Sequence, residues 1–199
     1  MRRIYQVGVL FFLLTAIGFA QNRDDEIYQR GWLKPDSLYK VAPEFLPLPG
    51  AYQPQESALQ LLRCYTEPVT VLIFFGSWCS DSKREVPHFF TTLDLIKNKN
   101  ISAQLFGLDR TKKDAAGFAE AFKIEKVPTF IFLRGVRDFS IASTTATSGE
   151  LGRIIETPAI TLEQDWVNAL KHNAGWAQQI EFEQRLALLG LAISLYIVN

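Results

Sequence analysis

Seven consecutive residues, Val69–Phe75, run without a break into Gly76-Ser-Trp-Cys-Ser-Asp-Ser-Lys-Arg-Glu-Val-Pro87. The first run is apolar, β-branched and aromatic, with no polar face. It reads as a central strand covered on both sides. The second run turns to the helical period, with Val86, Phe89, Phe90, Leu93 and Ile96 sharing one side of Ser82–Lys97. A buried strand that feeds straight into a helix commits the chain to layers of helix on sheet.

The remaining periodicities extend that pattern. Pro54–Tyr65 reads as a helix with Ala58, Leu59, Leu61 and Leu62 apolar, and Ile101–Leu108 as a second strand. A short helix is predicted over Lys112–Phe122, strands over Thr129–Leu133 and Leu151–Glu156, and a last helix over Leu162–His172. From Val69 the order is β-α-β-α-β-β-α, an α/β fold with a central mixed sheet flanked by helices. Residues 21–53 form an N-terminal extension interrupted by Pro35, Pro43, Pro47, Pro49 and Gly50, in which Trp32, Tyr39, Phe45 and Leu48 are expected to staple the segment to the core. Residues 54–173 make the main domain, and 174–199 a C-terminal helical extension. The Ser/Thr-rich connection Arg134–Gly149 is long for a hairpin and is expected at the end of the sheet away from Cys79. The apolar run Leu186–Val198 would span about 20 Å as a helix, short of a bilayer core of about 30 Å. It reads as a packing or interface helix, with membrane contact as the second reading.

The first twenty residues carry an export signal: Arg2 and Arg3, the apolar Val7–Phe19, and the small-x-small site Gly18-Phe19-Ala20 before Gln21. They predict a signal peptide over 1–20 and an exported, periplasmic protein, with an uncleaved anchor as the other reading. Lys plus Arg and Asp plus Glu each number 21, so no basic excess points to nucleic acid. The two cysteines, Cys64 and Cys79, cannot build a multi-bridge scaffold.

Cys79 falls where the buried strand ends and the helix begins. A helix N-terminus offers unpaired N–H groups and positive dipole character, which favour a thiolate. Cys79 therefore occupies the place of an attacking thiol in a Cys-x-x-Cys pair, with Ser82 in the place of the partner. Ser80 and Ser82 can offer hydroxyl donors to the sulfur, while the Asp81 carboxylate opposes its ionisation and Lys83 and Arg84 offset that charge. Trp78 supplies an apolar flank. Pro87 removes one backbone hydrogen bond inside the helix, and Pro128 before the third strand is a candidate cis peptide that leaves Val127 free to pair with an extended chain.

Trp78-Cys79-x-x-Ser82, Pro87, Val127-Pro128-Thr129 and the element order together resemble the thioredoxin superfamily over residues 54–173. The likeness is strongest to exported bacterial thioredoxin-like proteins with a Trp-Cys-x-Asp segment and a Gly-Arg-Ile-x-Glu-x-Pro stretch, here Gly152–Pro158. The resemblance implies that Cys79 is the nucleophile, with Trp78, Val127 and Pro128 at the substrate edge. The returning fourth strand adds Glu156 and Thr157 to that rim. Two departures stand out: Ser82 replaces the resolving cysteine, and Ile73 replaces the buried acid that assists it. The expected chemistry is single-thiol disulfide exchange, a mixed disulfide on Cys79 being released by an outside thiol, with protein or small-molecule thiols and disulfides as partners. The alternative is a non-catalytic module that binds a peptide beside Val127 and Pro128. Cys64 is expected to be a small structural residue beyond disulfide reach of Cys79. His88 and His172 read as packing or helix-surface residues and Asp109-Arg110 as a turn. No spacing indicates a metal, and no cofactor is implied.

Overall fold

The computed structural model describes residues 31–135, 149–171, 176 and 178. Its five strands lie in the order β1-β3-β2-β4-β5, with β1 Gly31–Leu33, β2 Val69–Phe75, β3 Ile101–Gly107, β4 Thr129–Arg134 and β5 Glu150–Ile155. Only β2 and β3 run parallel; the other pairs are antiparallel, giving a mixed sheet flanked by helices. The helices are α1 Pro35–Val41, α2 Glu56–Arg63, α3 Ser80–Ile96, α4 Phe118–Ala121 and α5 Leu162–Leu170, with a 3-10 turn at Pro43–Phe45.

Every residue of β2 is buried, and the strand's alternation divides the core. Val69, Val71, Ile73 and Phe75 face a layer drawn from α2, α3 and α5, which includes Leu59, Leu62, Val86, Phe89 and Trp166. Leu72 and Phe74 face the opposite layer with Phe106, Ala119, Phe122 and Ile131. Fully burying a phenylalanine such as Phe74 or Phe75 contributes roughly 1.5–3 kcal/mol, so this one strand anchors both halves. Trp166 stacks on Phe89 with ring centroids 4.7 Å apart. Above them β5 comes so close to α5 that a Cβ on Gly152 would lie 2.9 Å from that of Ala169.

The N-terminal extension adds an element that the hydrophobic pattern misses. Three-residue β1 extends the sheet by pairing with β3, and Trp32 meets Phe106 and Phe118 edge-on. Phe45 is fully buried against Phe75, and Tyr39 meets Phe90. Leu48, expected as a fourth staple, is exposed instead. It lies in a run of prolines and lines an open hollow with Pro47, Leu59, Arg63 and Leu95.

The helix expected over Lys112–Phe122 shrinks to the single turn α4. The Asp114 carboxylate accepts from the N–H groups of Ala116, Phe118 and Ala119, and Gly117 takes a left-handed φ of 73°. A side chain that satisfies the backbone in this way holds the preceding residues in a turn. The ends of the β4–β5 connection lie at the start of β2: Arg134 N donates to Gly149 O, and Gly135 N to Pro68 O. That is the sheet end opposite Cys79. The proposed signal segment 1–20, the Ser/Thr-rich run 142–148, His172 and the run 186–198 lie outside the described residues. Among the described residues no helix is long and apolar enough to cross a membrane.

Candidate functional site around Cys79

Cys79 is the N-cap of α3. Its backbone is extended, its carbonyl accepts from Lys83 N, and its own N–H closes a turn onto Gly76 O. The strand-to-helix turn is tight for two reasons visible in the sequence. Trp78 folds back over Gly76, where a Cβ would come within 2.7 Å of the indole Cε2. The indole Nε1 then donates to Leu108 O, just beyond the end of β3.

The Cys79 sulfur is half-buried and lies 3.1 Å from the carbonyl oxygen of Val127. At that distance the S–H donates to the carbonyl. The Val127–Pro128 peptide bond is cis. No described residue accepts from the Val127 N–H. The backbone leading into β4 thus offers Cys79 one carbonyl and leaves an amide open beside it.

Ser82 is fully buried, and its Oγ accepts a hydrogen bond of 3.2 Å from Gly76 N. The hydroxyl fastens the turn that carries Cys79, and among the described residues neither Ser80 nor Ser82 donates to the sulfur. Glu156 reaches the site through its backbone: its N–H donates to Pro128 O, while its carboxylate pairs with Lys126 at 2.6 Å. Its left-handed φ of 59° ends β5 and turns the chain. Thr157 follows on an exposed bend and forms no hydrogen bond among the described residues. Cys79, Trp78, Val127 and Pro128 thus form one cluster, Glu156 borders it, Ser82 lies beneath it, and Thr157 is held by none of them.

The charges on the first turns of α3 are already matched. Arg84 spans Asp81 at 2.8 Å and Glu85 at 2.7 Å, and Lys83 lies 3.5 Å from Glu44. Burial pushes the Glu85 carboxyl up, but His88 and Arg84 more than offset it and hold the group below the usual carboxylate range. His88 stacks on Tyr52 at 4.0 Å and faces Glu85 at 3.4 Å, a packing role. Tyr52 in turn donates to Glu163, which also accepts from Gln55 N and Thr161. Burial and this hydrogen bond raise the Tyr52 hydroxyl well above its usual value; burial also raises Glu163, but its hydrogen-bond donors bring it below.

Two features are hard to read from the sequence. Arg110, in a stretch that reads as an ordinary turn, has its guanidinium 5.2 Å from the Trp78 ring centroid. Cys64 is exposed at the C-terminal end of α2 rather than packed inside. The amphipathic pattern ends at Leu62, which is the signal the sequence offers. Both cysteines are free thiols. Among the described residues no group of three or more His, Cys, Asp or Glu could hold a metal ion.

No family model matches the chain, and no curated protein matches it. Among solved structures, a protein of unknown function from Pseudomonas aeruginosa aligns with a TM-score of 0.41 and 15% identity, over 81% of this chain and 96% of its own. AhpF, a component of the alkylhydroperoxide reductase of Enterococcus faecalis, aligns at 0.32 and 24% identity, covering 41% of this chain and 38% of that one. An HIV epitope scaffold aligns at 0.40 and 17%, over 75% and 92%. The sheet order and its flanking helices are compatible with a thioredoxin-like α/β fold.

Proposed function

We propose that this chain is an exported, thioredoxin-like protein that exchanges thiols and disulfides through Cys79 alone. One observation carries the reading: a half-buried thiol caps α3 beside the Val127 carbonyl and an open Val127 amide. The carbonyl suits the thiol and would repel a thiolate, whereas the free N–H groups of the first helical turn favour the anion. Loss of the proton to solvent therefore turns the sulfur from Val127 toward the helix end and frees the carbonyl. An extended substrate strand can then pair with both backbone groups of Val127, with Glu156 and Thr157 along the rim.

The Cys79 thiolate attacks one sulfur of the substrate disulfide. A new S–S bond forms, the old one breaks, and the second substrate sulfur leaves as a thiolate. Ser82 has no sulfur to complete the exchange, so a thiol from the substrate or a small molecule attacks the mixed disulfide and restores Cys79. The cycle fits isomerisation or release of capped thiols better than net reduction. Cleavage of residues 1–20 and delivery to the periplasm belong to the same proposal, resting on the sequence pattern of that segment.

Mass spectrometry of the protein incubated with a peptide disulfide tests it. The expected adduct sits on Cys79, is absent in Cys79→Ser, and is removed by added thiol. If wild type and Cys79→Ser retain the same peptide without an adduct, the peptide-binding module is the better reading.

A further inference from the structure

The loop that follows β3 is a cationic rim with its acids already occupied. Asp109 accepts from both the N–H and the hydroxyl of Thr111, and Asp114 accepts from three backbone N–H groups at the start of α4. Arg110, Lys112 and Lys113 have no ion-pair partner among the described residues. Arg110 is exposed, and its only described interaction is with the Trp78 ring. That ring is fixed from behind by Gly76 and from its edge by Leu108 O. The guanidinium is therefore stationed over the residue next to Cys79 with all of its donors open. The other charges bordering the sulfur are spent: Asp81 on Arg84, and Glu156 on Lys126.

The geometry points to Arg110 as a specificity-determining residue that selects disulfides flanked by carboxylates. This rests on the reading of Cys79 as an exchanging thiol and adds the substrate class. A carboxylate beside the attacked disulfide lies against Trp78 and receives the planar donors of Arg110, which suit a carboxylate better than a point charge does. The bonds made and broken are those of the exchange itself. The bond from Cys79 to the attacked sulfur forms, the substrate S–S bond breaks, and the second substrate sulfur leaves as a thiolate with the electron pair. Arg110 also lowers the repulsion between an anionic substrate and the Cys79 thiolate.

The test uses the full chain with Cys64→Ser, so that only Cys79 reports. Its rates are measured at low salt with dithiobis(nitrobenzoate), dithiodipyridine and cystamine, which are anionic, uncharged and cationic disulfides. Measured relative to the uncharged reagent, Arg110→Glu is expected to slow the anionic reagent by about fivefold and speed the cationic one, with the differences vanishing at high salt. Arg110→Gln should fall between. A uniform change across the three reagents, or none, overturns the selection while leaving exchange intact. No reaction of wild type with the uncharged reagent overturns exchange itself. A non-reacting thioether dicarboxylate then still decides the rim, because wild type and not Arg110→Glu should shift the Trp78 indole N–H resonance; no shift overturns the selection. Peptide disulfides flanked by Asp or by Lys distinguish the sources. An Asp preference that depends on Arg110 assigns acidic peptides, and its absence beside the small-molecule effect assigns acidic small molecules.

Discussion

The two cysteines sit at opposite ends of one strand, and their surroundings differ. Cys64 closes α2 before β2 begins; Cys79 opens α3 after β2 ends. The first end is fastened by Asn98, whose amide donates to Leu62 O and Tyr65 O at 2.8 and 2.7 Å. None of those bonds aims a group at the Cys64 sulfur. The second end is fastened by Ser82 and Trp78, and the same turn brings the Cys79 sulfur to Val127. Helix C-termini present carbonyls and helix N-termini present N–H groups, so an anion is opposed at one end and favoured at the other. Exposure alone makes Cys64 accessible. Cys79 is instead held against the Val127 carbonyl.

The sharpest break of this contrast is deletion of each sulfur. Cys79→Ser is expected to abolish adducts with a peptide disulfide, and Cys64→Ser to leave them intact, as read by intact-mass spectrometry. Equal loss in both variants would erase the distinction. Next in size is Ser82→Cys, which supplies a resolving sulfur at the Cys79 end. An intramolecular thiol at that position should shorten the life of the mixed disulfide on the order of a hundredfold relative to wild type. A lifetime like that of wild type would mean that position 82, buried beneath the turn, cannot meet the Cys79 sulfur.

Substitutions in the two fastenings should separate stability from chemistry. In Gly76→Ala the new Cβ meets Trp78 at 2.7 Å and must displace the ring. Overpacking of this kind costs about 1–3 kcal/mol. Because Trp78 moves with it, the Cys79 adduct rate should fall as well. Asn98→Ala removes one donor from each of Leu62 O and Tyr65 O, which keep Tyr65 N and Asn100 Nδ2, at a cost of about 0.5–1.5 kcal/mol per bond lost. Urea unfolding should show both losses, but only Gly76→Ala should change the Cys79 rate. A slower Cys79 in Asn98→Ala would show that the two ends of β2 are coupled.

The strand between these ends is the most legible part of the sequence. With Thr70 its one polar residue, Val69–Phe75 leaves a half-solvated strand no polar face, and the 3.6 period that follows demands a helix. The same logic locates α5 and the β4–β5 pair. It misses β1, because three residues cannot display a period; Trp32 finds its place through Phe106 and Phe118, which are distant in sequence. It overextends α4 because alanines favour a helix, while the local bonds of Asp114 decide the turn. At the site, residue types are readable and bond directions are not. Ser82 stands out as the missing thiol, but its use as an acceptor for Gly76 N depends on a turn only three dimensions define. Arg110 reaches Trp78 only after parallel pairing of β2 and β3 brings their ends together.

The smallest expected difference between the two ends concerns acid. On the Cys79 helix, Glu85 is buried between Arg84 and His88, with Asp81 and Tyr52 on either side of that array. At the Cys64 end, Glu56 pairs with Arg63 in solvent. The Glu85 carboxyl titrates below its usual range when folded, so its contribution is fully present above the unfolded value of about 4.3 and is lost as pH falls through the folded value. Glu85→Gln should therefore cost about 1 kcal/mol near neutrality and flatten the decline in the urea midpoint as pH drops below about 4.3. Glu56→Gln, an exposed pair, should cost less than about 0.5 kcal/mol and leave the acid slope as it was. Equal acid slopes in the two variants would place the acid-sensitive carboxylate elsewhere, with Glu163 the next candidate because its hydrogen-bond donors also hold it low.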